Sequence, residues 1–148
     1  MAIYRPPIRD RWIPLIVTSP DFTHEIRSWM EGRDYIPEGF IATSFIGDVT
    51  NGQLRSAVAY GGYNGAMVEA TIAVERIHKE MLWYMFHYPF VQLGVNKVVC
   101  RIDSSNEKSI NLAKKLGFKY ECILHDCSPD GDLHIVSLTK DECRYLRD

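Results

Sequence analysis

The chain has 148 residues and a formal net charge of −2, and 46% of its residues are hydrophobic while 24% are charged. This length and composition fit one globular domain over residues 1–148, with enough apolar residues for a core. The near-neutral charge gives no reason to expect a nucleic acid or an anionic membrane as a partner.

Neither a signal peptide nor a membrane-spanning segment is visible. Prolines and charges interrupt the N-terminal stretch MAIYRPPIRDRWIP before an apolar region could form, and no apolar run is long enough for a membrane helix. The cysteines are even in number without C-x-x-C spacing, so reduced thiols are expected. We therefore expect a cytoplasmic protein, in the host cytoplasm if a phage encodes it.

The first part of the chain predicts a strand and a helix. Leu15–Thr18 is a short β-prone run, and Ser19 before Pro20 is typical of a helix start, a cap residue followed by proline. The apolar residues of this helix share one face and are Phe22, Ile26, Trp29 and Met30. Gly32 is the expected end of the helix, and a loop over residues 33–39 should follow.

Three turn sequences predict β-hairpins: Asn51-Gly52, Asn64-Gly65 and Asp130-Gly131. Such pairs supply the positive φ angles of two-residue type I′ turns. The first two predict a meander of three antiparallel strands, and the last predicts a closing hairpin near the C-terminus. After that hairpin, Thr139 and Glu142 have the spacing of a capping box and predict a short helix over residues 143–146.

Between the meander and the next strand, an apolar helix is predicted from about Arg76 to Leu93. Its apolar residues cover nearly every side, so the helix should be buried, and Pro89 should kink it or end it early. The strands before and after it should then be parallel, joined through the helix by a right-handed crossover.

The stretch from Val95 to Phe118 has the most consistent local pattern. Val98–Ile102 is β-prone and is ended by polar residues. Ser104 and Glu107 have capping-box spacing, and apolar residues then recur at helical intervals. Gly117 should end this helix.

Within this stretch, five residues resemble the N-x-x-S … L-G-F pattern of the GNAT superfamily of acyl-CoA-dependent N-acetyltransferases. They are Asn106, Ser109, Leu116, Gly117 and Phe118. The nearest likeness is to ribosomal-protein and phage-type acetyltransferases, over roughly the last two-thirds of the chain. The resemblance implies a GNAT-type α/β fold, a mixed sheet flanked by helices. It also implies acetyl-CoA as cosubstrate and acetyl transfer to an amine of a protein or small molecule, by direct attack in a ternary complex.

The resemblance places the pyrophosphate of acetyl-CoA at the N-terminus of the helix that follows the fourth strand, where backbone N–H groups attract anions. The glycine-rich loop usual at that point is missing here. Arg76, His78 and Lys79 could replace it with charge-assisted side-chain contacts. The alternative is a solvated first turn that binds nothing.

Further coenzyme contacts are implied on either side of this helix. Ile72, Ala73 and Val74 end the fourth strand, and the family places the coenzyme against that segment. Asn106 matches the asparagine that hydrogen-bonds the pantetheine arm, and Ser109 should lie close to the sulfur. Helix capping is the alternative for both Asn106 and Ser109.

Glu69 is the candidate general base. It interrupts a strand that is otherwise fit for burial, and burial moves a carboxyl pKa toward the range useful for a base. Members of the resembled family often use a strand-four carboxylate, and the alternative here is a salt bridge to Arg101 or Arg55. Many relatives carry a tyrosine acid where this chain has Ala113. Ser109 or water would therefore protonate the leaving thiolate, or the thiolate leaves as the anion.

Four potential zinc ligands fall within a short span: Cys122, His125, Cys127 and His134. Strand alternation would put Cys122 and His125 on opposite faces, and the spacing matches no standard zinc site. We therefore expect no metal.

Two further expectations concern partners and function. The exposed closing hairpin is a candidate surface for a homodimer. The alternative to an enzyme is a binding or structural module with the GNAT fold, which the missing glycines and the missing tyrosine favour. The sequence leaves the acceptor open.

Overall fold

The computed structural model describes residues 15–17, 23–33, 36–37, 39–74 and 78–146. The strands are β1 Leu15–Val17, β2 Ser44–Thr50, β3 Gln53–Gly61, β4 Met67–Val74, β5 Lys97–Asp103, β6 Lys119–Ser128 and β7 Gly131–Thr139. The helices are α1 Thr23–Glu31, α2 Lys79–His87 and α3 Glu107–Leu116, with a π-helical turn at Tyr88–Gln92 and a 3₁₀ turn at Arg144–Leu146. No helix in these ranges is long and apolar enough to cross a membrane.

The strands form one mixed sheet in the order β1-β2-β3-β4-β5-β7-β6. Neighbouring strands are antiparallel except β4 and β5, which are parallel and are connected through α2. The predicted meander, parallel pair and closing hairpin are therefore confirmed, and so is the mixed α/β sheet.

The parallel pair β4–β5 is short. Its register covers Met67↔Lys97, Val68↔Val98 and Glu69↔Val99, after which the two strands diverge. β4 stays paired with β3, and β5 stays paired with β7 along its whole length. Beyond Glu69 and Val99, the edges of β4 and β5 that face each other are therefore unpaired.

Two apolar cores cover the two faces of the sheet. Strand alternation directs Ile46 toward the face under α2 and α3, and directs Phe45 toward the face under α1. The first core includes Met81, Met85, Phe86 and Phe90 of α2 and the turn after it, all buried. Each such side chain stabilises the fold by roughly 1.5–3 kcal/mol when fully buried. The hydroxyl of buried Tyr60 donates to the Met85 carbonyl at 2.5 Å and joins β3 to α2.

The helix predicted from Arg76 to Leu93 is only partly right. In the described residues the α-helix runs from Lys79 to His87, and Pro89 lies in the π-helical turn that follows it. The prediction that the helix is buried on nearly every side is also wrong at Trp83. This side chain is 37% exposed and stacks on His87, with ring centroids 3.7 Å apart.

All three predicted hairpins form, but only one has the predicted turn. Asn51 and Gly52 have φ angles of 53° and 75°, as a type I′ turn requires. The loop after β3 is longer, and the Asn64 side chain accepts the N–H groups of Ala66 and Met67 at 2.9 Å. In the closing hairpin, Pro129 and Asp130 connect the strands, and Gly131 already pairs with Ser128.

The predicted Ser104–Glu107 capping box is wrong. α3 begins one residue after Asn106, whose Oδ1 accepts the Ser109 N–H at 3.2 Å. Ser104 Oγ instead accepts the N–H of Asp132 at 3.1 Å, because the closing hairpin lies against this corner. A tertiary contact has displaced a local one.

The remaining helix-end predictions have mixed outcomes. Gly117 ends α3 with φ 99°, as predicted, and Gly32 follows α1 directly. The Glu142 N–H donates to Thr139 Oγ1 at 3.3 Å, but only a 3₁₀ turn follows, not the predicted helix. The Ser19-Pro20 helix start lies outside the described residues.

Candidate active site

A cleft of about 500 Å³ opens where β4 and β5 diverge. Its lining includes Ala70–Ile72 of β4, Cys100–Asp103 of β5, Asn106 and Ser109 at the start of α3, and residues 127–130 of the closing hairpin. Consecutive strand residues face opposite sides of a sheet. Since consecutive residues of both strands line the cleft, it reaches both faces of the sheet.

On the α3 side, the cleft contains both residues predicted to contact a pantetheine arm. Asn106 uses Oδ1 to cap α3, and its amide N–H₂ has no partner among the described residues. Ser109 is half-buried in the same wall. The capping role and the ligand role of Asn106 are therefore compatible, since they use different atoms.

Glu69 lies at the last paired position of β4 before the strands diverge. Its Oε1 accepts a hydrogen bond from Arg101 Nε, and the two side chains are 17% and 40% exposed. The salt bridge considered as the alternative for Glu69 is therefore present. Arg101 is the member of the pair that lines the cleft.

The three residues that end β4 have different surroundings. Ile72 lines the cleft, whereas Ala73 is fully buried in the core under α1. Val74 is half-buried and pairs with Ser56 of β3. A ligand in the cleft can therefore meet the side chain of Ile72, but can reach Ala73 and Val74 only through the backbone edge that β5 leaves unpaired.

Two of the residues predicted to contact phosphate, His78 and Lys79, lie at the N-terminus of α2. Lys79 is its exposed first residue, and Arg76 lies outside the described residues. His78 occupies the N-cap position without capping the helix, so within the described chain no side chain satisfies the N–H groups of the first turn. The His78 ring lies toward the sheet, with Nε2 3.9 Å from Asp48 Oδ2.

Asp103 is a cleft residue that the sequence analysis missed. Its carboxylate accepts the Ser105 N–H at 2.8 Å, the Ser105 hydroxyl at 2.6 Å, and the Ser128 hydroxyl. These hydrogen bonds lower the pKa of Asp103 to about 2. They also fasten the closing hairpin to the corner between β5 and α3. An aspartate two residues before a serine at a strand end is typical of an Asx turn, which was the available sequence signal.

Of the four potential zinc ligands, the two histidines contact other side chains and the two cysteines are free thiols. His125 Nδ1 lies 3.2 Å from Asp132 Oδ2, and His134 Nδ1 lies 2.9 Å from Tyr120 Oη. Cys122 and Cys127 are exposed free thiols. In the part of the chain that the structure describes, no three metal-ligating side chains come together.

Comparison with known proteins gives one family. The sequence model of the acetyltransferase (GNAT) domain matches residues 9–119. Among curated proteins, none matches this sequence significantly.

Solved acetyltransferases share the fold. A GNAT-family acetyltransferase from Bacillus anthracis has a TM-score of 0.64 at 16% identity, covering 87% of this chain and 96% of that one. A chimera of the spermidine N-acetyltransferase from Vibrio cholerae has a TM-score of 0.66 at 13% identity, covering 90% and 98%. A Campylobacter jejuni N-acetyltransferase in complex with acetyl coenzyme A has a TM-score of 0.54 at 14% identity, covering 81% and 80%. At these identities the likeness shows the fold alone.

Proposed function

The chain belongs to the acetyltransferase (GNAT) domain family, and from this premise we propose that it transfers an acetyl group from acetyl-CoA to an amine. The proposed route is direct attack in a ternary complex, because none of the described serines and cysteines of the cleft is hydrogen-bonded to a histidine that could activate it as a nucleophile. The observation that carries the proposal is the cleft between β4 and β5, which reaches both faces of the sheet. Coenzyme and acceptor can therefore approach one point from opposite sides.

The residues around the cleft fit a coenzyme of this kind. The free amide N–H₂ of Asn106 can donate to the pantetheine arm, and the unpaired edge of β4 offers backbone groups beside Ile72. The uncapped first turn of α2 offers N–H groups to the pyrophosphate, with Lys79 adding positive charge. Acetyl-CoA, when bound, supplies the acetyl group as a reactive thioester. The Campylobacter relative of similar fold holds acetyl coenzyme A.

Proton transfer is assigned to Glu69 and Ser109. Glu69 stands where the cleft begins and has a second carboxylate oxygen beyond the one that Arg101 holds. We propose that it accepts the amine proton, directly or through water. Ser109, in the wall of the cleft formed by the start of α3, or a water would protonate the leaving thiolate.

One observation favours the alternative, a GNAT-fold binding or structural module. The ion pair of Glu69 with Arg101 gives the carboxylate a structural role that needs no chemistry. The chain also lacks the glycine-rich loop and has Ala113 in the cleft wall where many relatives carry a tyrosine acid.

The acceptor is an amine of a protein or of a small molecule, and a protein acceptor would agree with the likeness to ribosomal-protein acetyltransferases. We further propose a cytoplasmic protein of one domain, without a nucleic-acid or membrane partner. The exposed β6–β7 hairpin is its candidate homodimer surface.

Ligand-induced stabilisation tests the proposal without knowledge of the acceptor. Acetyl-CoA at a hundredfold excess over Kd should stabilise the fold by about 2.7 kcal/mol, which should raise Tm by roughly 5–11 °C. Asn106→Ala should reduce this shift. Asn111→Ala is the matched control, since Asn111 is exposed on the same helix and does not line the cleft.

The contribution of positive charge at the N-terminus of α2 to acetyl-CoA binding can be tested with the same melting assay. Lys79→Glu should reduce the shift, whereas Lys108→Glu, an exposed change in the first turn of α3, should not. A flat melting curve with millimolar acetyl-CoA, together with silent calorimetry, would contradict the acetyltransferase proposal. Binding without turnover of any amine in a broad panel would leave the module alternative in place.

A further inference from the structure

Asp48 is a buried carboxylate that the proposed chemistry does not use. It is 0% exposed and lies in β2, two residues after Ile46, on the face covered by α2. The sheet register places Asp48 opposite Ser56, and Ser56 opposite Val74 at the end of β4. Asp48 therefore lies in the same row across the sheet as Val74, the last residue of the strand that precedes α2.

The hydrogen bonds of Asp48 do not neutralise its charge. Thr50 donates to Oδ1 at 3.1 Å and Ser56 donates to Oδ2 at 3.4 Å, and both donors are neutral hydroxyls. Burial raises the pKa of Asp48, while nearby His78 acts in the opposite direction and Glu80 adds to the rise. His78 and Glu80, both of α2, are the titratable groups that act on it within the described chain.

Within the described chain, His78 is the side chain near Asp48 that can bring a compensating positive charge to it. Its Nε2 is buried, has no hydrogen-bond partner in the described residues, and lies 3.9 Å from Asp48 Oδ2. The side chain is 20% exposed. A serine, threonine or aspartate would normally cap the helix at this position. Here the N-cap side chain is directed into the sheet instead.

We propose that Asp48 and His78 form a proton-dependent tether that positions the first turn of α2 for the pyrophosphate of coenzyme A. Both are positioning residues, since they act through the helix and not on the reacting atoms. This inference rests on the proposed function, because it assigns the same helix end to the coenzyme.

The physical reason is the cost of a buried charge. When His78 is protonated, the imidazolium compensates the Asp48 carboxylate, and the pair fixes the helix start against β2. When His78 is neutral, the buried carboxylate keeps only its hydroxyl donors, and the helix start is held less firmly. Small displacements of binding groups have large effects on ligand contacts. Because the protonated pair holds the helix start in its binding position, protonation of His78 and coenzyme binding favour each other, so binding should take up a proton.

Proton uptake can be measured on the unaltered protein. The probe is 3′-dephospho-coenzyme A, because the 3′-phosphate of CoA is a monoester that itself titrates near about pH 6. Calorimetry near neutral pH, in buffers of different ionisation enthalpy, should show net proton uptake on binding. The affinity should weaken by about fivefold or more between about pH 6 and pH 8, at the lower end of usual coupling between sites.

Variants of Asp48 and His78 then test whether the proton uptake and the pH dependence of binding come from this pair. Asp48→Asn keeps the shape and one acceptor oxygen, and its N–H₂ can donate to the other hydroxyl, while the buried charge is removed, so the fold should persist. It should flatten the pH profile and abolish proton uptake, and His78→Gln should do the same. His24→Gln is the matched control, since it removes an exposed histidine of α1 and should leave the profile unchanged.

Three results would overturn the inference. Binding without proton uptake and without pH dependence would exclude the tether while leaving the proposed function intact. A profile lost in His78→Gln but kept in Asp48→Asn would mean that His78 acts on the phosphate directly. Absence of binding in the unaltered protein at every pH would overturn the proposed function together with the inference. If Asp48→Asn does not fold, absence of proton uptake by the unaltered protein, or uptake that persists in His78→Gln, still overturns the inference.

Discussion

At the scale of single residues, Glu69 is the side chain with two competing roles. Its ion pair with Arg101 is partly exposed, and such pairs contribute only about 0–1 kcal/mol to stability. Stability alone therefore gives little reason for a carboxylate at the point where β4 and β5 separate.

A pair of matched variants separates the two roles. Glu69→Gln should lower kcat on the order of 100-fold while acetyl-CoA binding changes little, because the amide cannot accept the amine proton. Arg101→Gln removes the same ion pair but keeps the carboxylate, so its effect on kcat should be smaller. The measurements are steady-state kinetics and melting temperatures of both variants. Equal kcat in Glu69→Gln and the unaltered protein would remove Glu69 from the mechanism.

The sequence predicted part of the site at this scale. Asn106 and Ser109 were found because their spacing from Leu116 and Gly117 forms one local pattern. Asp103 and Arg101 were not assigned to the cleft, because their positions in its wall depend on the divergence of two strands.

At the scale of elements, helix α3 is the part that its own sequence specifies best. It ends at Gly117, whose φ of 99° is strained for residues with a side chain. A Cβ added at Gly117 would meet only Leu138 Cδ1, at 3.7 Å, which is an ordinary contact. Any loss of stability on substituting Gly117 should therefore come from the left-handed backbone angle and not from a steric clash.

Gly117→Ala should destabilise the protein by about 1–2 kcal/mol, which corresponds to a Tm lower by roughly 2–8 °C. Gly117→Asn should cost less, since asparagine tolerates the left-handed region better than alanine. Chemical denaturation of both variants measures the difference. Equal losses for alanine and asparagine would mean that a packing clash, not the backbone angle, sets the cost.

At the scale of the whole molecule, the two faces and the edge of the sheet give the four thiols different surroundings. Cys100 and Cys143 are buried, whereas Cys122 and Cys127 are exposed. Burial raises the pKa of Cys100 to about 12, so almost no thiolate forms there at neutral pH. Cys127 lines the cleft and Cys122 does not.

Alkylation kinetics should report this arrangement. Cys122 and Cys127 should react with iodoacetamide much faster than Cys100 and Cys143, because the thiolate is the reactive form. Acetyl-CoA should slow the reaction of Cys127 and leave Cys122 unaffected. Timed labelling with peptide mass spectrometry measures each site. Equal protection of Cys122 and Cys127 would indicate a global effect of the ligand and not occupation of the cleft.

The sequence by itself determined most of the elements, the antiparallel meander, the parallel pair and the family resemblance. These follow from signals between residues close in the chain, such as alternation along β4, the periodicity of α3 and the glycine after it. Where a predicted local contact failed, as at Ser104, a hydrogen bond from the distant Asp132 had replaced it.

Only the tertiary structure decided the cleft and the partners of the carboxylates Glu69 and Asp48. β4 and β5 separate after Glu69 and Val99 while each stays paired with its outer neighbour, and no residue of either strand encodes that alone. Likewise, Glu69 meets Arg101, and Asp48 meets His78, through the sheet register and the position of α2. The physical reason is that the environment of a buried charge is set by elements that lie far apart in sequence.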